Sequence, residues 1–78
     1  MKVTIVMRGT LRKVYGYDEQ VVEVPEGSTC AQALEAIGVH YKEEPKFGFV
    51  SVNNMRCMID DELHDGDYLK AFSKVFGG

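Results

Sequence analysis

The sequence predicts an α+β domain: a mixed sheet of four to five strands with one main helix packed across it. Three observations carry that expectation. Short segments alternate apolar and polar residues at period two near the start, middle and end of the chain, which is the mark of half-buried strands. One segment, residues 29–38, instead spaces its apolar residues for a helix. No repeat, low-complexity tract or linker divides the 78 residues, so residues 1–78 read as a single domain.

Each element follows from local residue choice. In Lys2–Arg8, Val3, Ile5 and Met7 fall on one face of a first strand. A connection through Gly9 and Gly16 follows. Gln20–Val24 then offers Val22 and Val24 to the core before Pro25 and Gly27 stop the strand. Thr29 is a helix N-cap with Gln32 three residues on, the capping-box spacing. Cys30, Ala33, Leu34 and Ile37 recur at i, i+3, i+4, i+7 and form one apolar stripe, and Gly38 suits the position that ends a helix. A helix this short draws its stability from packing on a sheet.

Past Pro45, Gly48–Asn53 places Val50 and Val52 on one face, Asn53-Asn54 suits a turn, and a short strand Arg56–Ile59 follows. His64-Asp65-Gly66-Asp67 is a turn signal. The last strand, from Tyr68 to about Val75, sets Leu69 and Ala71 on one face and Tyr68 and Phe72 on the other. In this order the final strand can return beside the first while the helix covers one sheet face. The β-grasp is the familiar fold with that topology.

Composition excludes several functions. The formal net charge is −3, and among nine Lys and Arg only Arg12-Lys13 are adjacent, so no basic stripe exists to hold nucleic acid. No apolar run exceeds three residues, as in Ile5-Val6-Met7, far below the roughly 20 residues of a membrane span. With no secretory pattern at the N-terminus, the expected location is the cytoplasm. Cys30 and Cys57 match no CxxC or metal spacing, His40 and His64 complete no ligand set, and no catalytic triad, paired-carboxylate site or phosphate loop is visible. The two cysteines read as free thiols in packed positions. No bound metal or cofactor is expected, and function is expected at the surface or a terminus because so small a core leaves no room for a deep pocket.

The stretch from Phe49 to Gly78 resembles the ubiquitin-like sulfur carriers, among them the small subunit of molybdopterin synthase and the thiamine sulfur-carrier protein. The shared residues are Val52-Asn53 ending a strand, Leu63 shortly before Asp65-Gly66-Asp67, an apolar final strand, and the terminal Gly77-Gly78. Leu11-Arg12 and Gly16 are similar to residues that follow the first strand in molybdopterin-synthase small subunits. Phe76 stands where these families usually carry a small or polar residue.

The resemblance implies a chemistry located at Gly78. An α-carboxylate is ionised at neutral pH and is a poor electrophile, so it needs activation before sulfur attacks. A ubiquitin-activating-type adenylyltransferase would join it to AMP from MgATP, and a sulfur donor would displace AMP to leave a Gly78 thiocarboxylate. A sulfur-accepting synthase subunit, of the molybdopterin-synthase large-subunit or thiazole-synthase type, would then take the sulfur, with molybdopterin favoured over thiamine. The chain is then a carrier and cosubstrate, not an enzyme, and a monomer when alone.

Glycine carries no Cβ, so Gly77 and Gly78 make the slenderest tail for a narrow channel. From Val75 the last four residues reach at most about 14 Å at about 3.5 Å each. The expected docking surface is Tyr68, Lys70 and Phe72 on the last strand, with Val75 and Phe76 leading to the tail. The acidic cluster Asp60–Asp67 is expected to steer a basic partner or, more simply, to be a solvated loop. Other readings of the same terminus are a ubiquitin-like modifier joined to lysines through Gly78 and a sulfur carrier for tRNA thiolation. An RNA-binding β-grasp module is disfavoured by the acidic charge.

Overall fold

The computed structural model describes residues 1–16 and 18–74. Five strands and two helices follow one another in the order β1 (Lys2–Arg8), α1 (Thr10–Tyr15), β2 (Glu19–Glu23), α2 (Cys30–Ala36), β3 (Phe47–Val52), β4 (Met55–Cys57) and β5 (Tyr68–Ser73). They form one mixed sheet with strand order β2-β1-β5-β3-β4. β1 and β5 lie parallel at its centre, and β1–β2, β3–β5 and β3–β4 are antiparallel. This is the β-grasp arrangement, with the last strand returning beside the first.

The core lies on one sheet face. Val3, Ile5 and Met7 of β1, Leu69 and Ala71 of β5, and Val50 of β3 meet Cys30, Ala33 and Leu34 of α2. The period-two and helical patterns of the sequence therefore face each other across a single apolar layer. Val24 is buried as expected, although it lies just past the end of β2, and Val22 packs against the core from its edge.

The capping box of α2 is complete. Thr29 Oγ1 accepts from the Gln32 amide at 3.2 Å, and Gln32 Oε1 accepts from the Thr29 amide at 2.9 Å. The helix closes one residue before the end of its apolar stripe, at Ala36, and the Gly38 N–H reaches back to Glu35 O at 3.0 Å. Thr29→Ala removes the Oγ1 acceptor of the Gln32 amide at the start of this helix and leaves the backbone half of the box in place. It should cost about 1 kcal/mol in chemical denaturation, and an unchanged midpoint would show that the cap contributes nothing.

Three expectations are corrected. The connection after β1 is a helix: Thr10–Tyr15 forms α1, which buries Leu11 against the core. Leu11, Val14 and Tyr15 do fall at i, i+3, i+4, but six residues with β-branched Thr10 and Val14 are too short for that spacing to stand out from a loop. Thus β1 and β2 are antiparallel neighbours joined through a helix. The short fourth strand starts at Met55, not Arg56, and ends at Cys57. Asn53 and Asn54 both hold positive φ, 51° and 69°, a two-residue turn that sets Met55 opposite Val52. Finally, β5 ends at Ser73, short of Val75. Among the described residues no helix is long and apolar enough to cross a membrane.

Candidate functional site

The outer sheet face carries the docking residues expected from sequence. Tyr68, Lys70 and Phe72 alternate with buried Leu69 and Ala71, so the pleat puts all three on the side away from α2. The structure brings them together but fixes each to a neighbour. The Tyr68 hydroxyl donates to Glu19 Oε1 at 2.7 Å across β1. That hydrogen bond, with desolvation and the Glu19 charge, holds the phenol pKa above its ordinary value. Lys70 Nζ donates to Asn54 Oδ1 at 2.7 Å. Phe72 stacks on Phe49 with ring centroids 4.6 Å apart and planes at 11°, and the Arg56 guanidinium lies 4.5 Å over the Phe49 ring.

Sequence reasoning missed Phe49 and Arg56, because their partnership exists only through pairing of β3 with β5 and with β4. It also missed Val6, which faces outward yet is 1% exposed. Val6 lies between Glu19 and Lys70 in register, beneath the Tyr68–Glu19 bond. The outer face is thus a small second cluster with a polar half and an aromatic half. The aromatic half lies at the end where β5 hands the chain to its terminus.

That exit is tightly built. The Lys74 amide donates to Lys46 O at 2.8 Å, and the Thr10 amide donates to Ser73 Oγ at 3.2 Å. Gly9, at φ 64° and ψ −140°, occupies a region reserved for glycine, and a Cβ there would strike the Ser73 hydroxyl. Gly48 sits where the β3–β5 register shifts, between Phe47↔Ser73 and Phe49↔Phe72. A Cβ on it would lie 2.8 Å from Ser73 O and 2.9 Å from Lys74 N. Two glycines from distant parts of the chain thus let three backbones converge on Ser73-Lys74. Val75, Phe76, Gly77 and Gly78, the residues expected to lead and perform the chemistry, lie outside the described residues.

The acidic cluster does not flank this exit. Asp61, Asp65 and Asp67 are spent on backbone amides: they accept from Met58 at 2.9 Å, from Lys2 at the far end of the chain at 2.7 Å, and from His64 at 2.8 Å. Asp67 Oδ1 also takes the Asn53 side-chain amide at 3.0 Å. These contacts lie before the start of β5, at the opposite end from Ser73, so the turn-building role is the one the structure supports. The tail end carries cations instead: Arg8 is in register with Phe72, Arg56 covers Phe49, and Lys46 and Lys74 are joined through their backbones. Among the described residues no three His, Cys, Asp or Glu side chains converge as metal ligands.

The family model described as the ThiS family matches residues 5–78. The chain belongs to the ThiS family. Solved structures agree over its whole length. SAMP1 from Haloferax volcanii is 26% identical with a TM-score of 0.82, each chain covered 100%. A putative molybdopterin converting factor, subunit 1, from Pyrococcus furiosus is 29% identical with a TM-score of 0.76, covering 96% of this chain and 99% of its own. CysO, solved in a complex with BexX from Amycolatopsis orientalis, is 27% identical with a TM-score of 0.66, covering 97% and 99%. No curated protein matches the chain by sequence search. The ubiquitin-like carrier fold expected from Val52-Asn53, Leu63 and Asp65-Gly66-Asp67 is therefore the fold of this ThiS-family chain, with those residues at the end of β3, in the core and in the turn before β5.

Proposed function

We propose that this ThiS-family protein is a sulfur carrier whose Gly78 carboxylate is adenylated by a ubiquitin-activating-type partner using MgATP and converted to a thiocarboxylate. The observation that carries the reading is the built site at Ser73-Lys74, four residues before Gly78, where the backbone is held by Lys46 and closely approached by Gly48. The partner supplies the nucleotide, the metal ion and the catalytic groups. The chain contributes a positioned carboxyl group and a docking face.

That face suits a partner surface with apolar and acidic features. The Phe49–Phe72 stack gives apolar area beside the exit, and Arg8, Lys46, Arg56 and Lys74 give positive charge on a chain whose formal net charge is −3. Delivery of sulfur to a molybdopterin-forming synthase subunit is favoured over thiazole synthesis. The similarity to a protein named as a molybdopterin converting factor subunit supports that order.

Intact-mass measurement tests the chemistry. Incubation with MgATP, an adenylyltransferase and a sulfur source should add about 16 Da, the replacement of one oxygen by sulfur. An unchanged mass with every candidate partner would overturn the reading. A second reading is favoured by SAMP1, a protein named as an archaeal modifier: the same activated Gly78 would be joined to lysine amines of other proteins. Branched Val-Phe-Gly-Gly remnants on cellular lysines after trypsin digestion, which cuts after Lys74, would establish it.

A further inference from the structure

The chain has two cysteines, 27 positions apart, and the fold sets them face to face. Cys30 opens α2 and Cys57 closes β4, with their sulfurs 4.0 Å apart. The pairing is held by backbone. The Cys30 amide donates to Asp61 O at 3.0 Å and the Ala31 amide to Ile59 O at 2.8 Å, so the loop after Cys57 is stitched to the first turn of the helix. A disulfide needs its sulfurs about 2.05 Å apart. The closing movement falls on β4, a three-residue strand paired on one side only, which is the part of the sheet most able to give.

Access is one-sided. Cys57 is half-buried and lines a cavity of about 300 Å³ together with Phe47, Phe49, Arg56 and Ile59. Cys30 is 0% exposed and lies behind it. From this geometry we infer that Cys30 and Cys57 form a dithiol site, oxidised to an intramolecular disulfide by a small-molecule disulfide that enters at Cys57. Cys30 acts as the resolving thiol.

The exchange balances without a further oxidant. Cys57 loses its proton and attacks one sulfur of the reagent, forming a mixed disulfide and releasing one half of the reagent as a thiolate, which takes up that proton. Cys30 then loses its proton and attacks the Cys57 sulfur, expelling the second half as a thiol. Two protein thiols are oxidised to one disulfide and the reagent disulfide is reduced to two thiols. The order of attack follows from burial: Cys57 opens onto the cavity, whereas Cys30 is fully buried behind it.

Desolvation pushes Cys30 up to about 12 and Cys57 upward as well, and the charge of Asp61 adds to both. Both thiols are therefore protonated at neutral pH, and the exchange is slow, on the hours end of the range for such reactions. The product would pin α2 to β4, whose Arg56 covers Phe49 at the aromatic end of the sheet, and would leave the terminal carboxyl untouched.

The test treats the full, reduced chain with excess glutathione disulfide at mildly alkaline pH and reads intact mass without reductant. The expected product is a monomer lighter by about 2 Da, two hydrogens, with a melting temperature several degrees higher that reductant reverses. Cys57→Ser should keep its starting mass, and Cys30→Ser should stop as a glutathione adduct. Where Cys30→Ser does not fold, Cys30→Ala carries that arm. With two cysteines in the chain, a monomer short of two hydrogens admits one assignment, so the wild-type result decides even without variants. An unchanged wild-type mass, a persistent glutathione adduct or disulfide-linked dimers would overturn the proposal.

Discussion

Removal of Gly78 alone should abolish activation by the adenylyltransferase while leaving the fold and its melting temperature nearly unchanged. Every residue of the described hydrophobic core lies between Val3 and Ala71, so a deletion at position 78 takes nothing from it. The new terminal carboxyl, on Gly77, would be drawn back by about 3.5 Å, one extended residue. Group transfer tolerates far less: a misplacement of about 1 Å can cost about 100-fold in rate. The expected result is therefore a loss of at least about 100-fold in the rate of adenylate formation, read by pyrophosphate release, with superimposable thermal unfolding. A melting temperature lower by many degrees would show that the terminus is part of the packed structure, and an unimpaired rate would show that Gly78 is not the reacting residue.

Gly48→Ala should have the largest effect of any single methyl group added to the sheet. A Cβ at position 48 meets the Ser73–Lys74 peptide unit, with Ser73 O at 2.8 Å and Lys74 N and Ser73 C at 2.9 Å. Backbone cannot rotate away, so β3 and β5 must part locally. The comparison with Gly9 makes the point: there the nearest atom is the Ser73 hydroxyl, which a change of rotamer moves, though the bond from the Thr10 amide is then lost. Overpacking of this kind costs about 1–3 kcal/mol, and each kcal/mol lowers the melting temperature of a domain this size by roughly 4–8 °C. Because the displaced atoms are those from which the tail departs, the variant should also be activated more slowly at temperatures where it remains folded. A variant with wild-type stability would mean that the bulge absorbs the methyl freely.

The aromatic half of the outer face and the dithiol share one origin. β4 is a three-residue edge strand, yet it places Arg56 over Phe49 on one side of the sheet and Cys57 against Cys30 on the other. Alternation along so short a strand gives it one function on each face.

Local sequence was sufficient wherever the signal was periodic or stereochemical. Val3, Ile5 and Met7 were legible as one face of a strand, Thr29 and Gln32 as a capping box, and Leu69 and Ala71 against Tyr68 and Phe72 as the two sides of the last strand. Asn53-Asn54 was legible as a turn because asparagine tolerates the positive φ values that both residues adopt. Helix α1 was not legible, since its apolar residues Leu11, Val14 and Tyr15 span little more than one turn.

The sequence by itself thus determined the class of fold, the side of each long strand that faces the core and the family to which the chain belongs, because these depend on residues near one another or in fixed order. Only the tertiary structure decided which distant residues meet. It set Phe72 on Phe49, Cys30 against Cys57, Gly9 and Gly48 around Ser73, and the acidic turn at the end of β5 away from the exit. Those contacts come from strand register and from the crossing of a helix over a sheet. Neither leaves a mark at any single position of the chain, because a register is a property of two segments together.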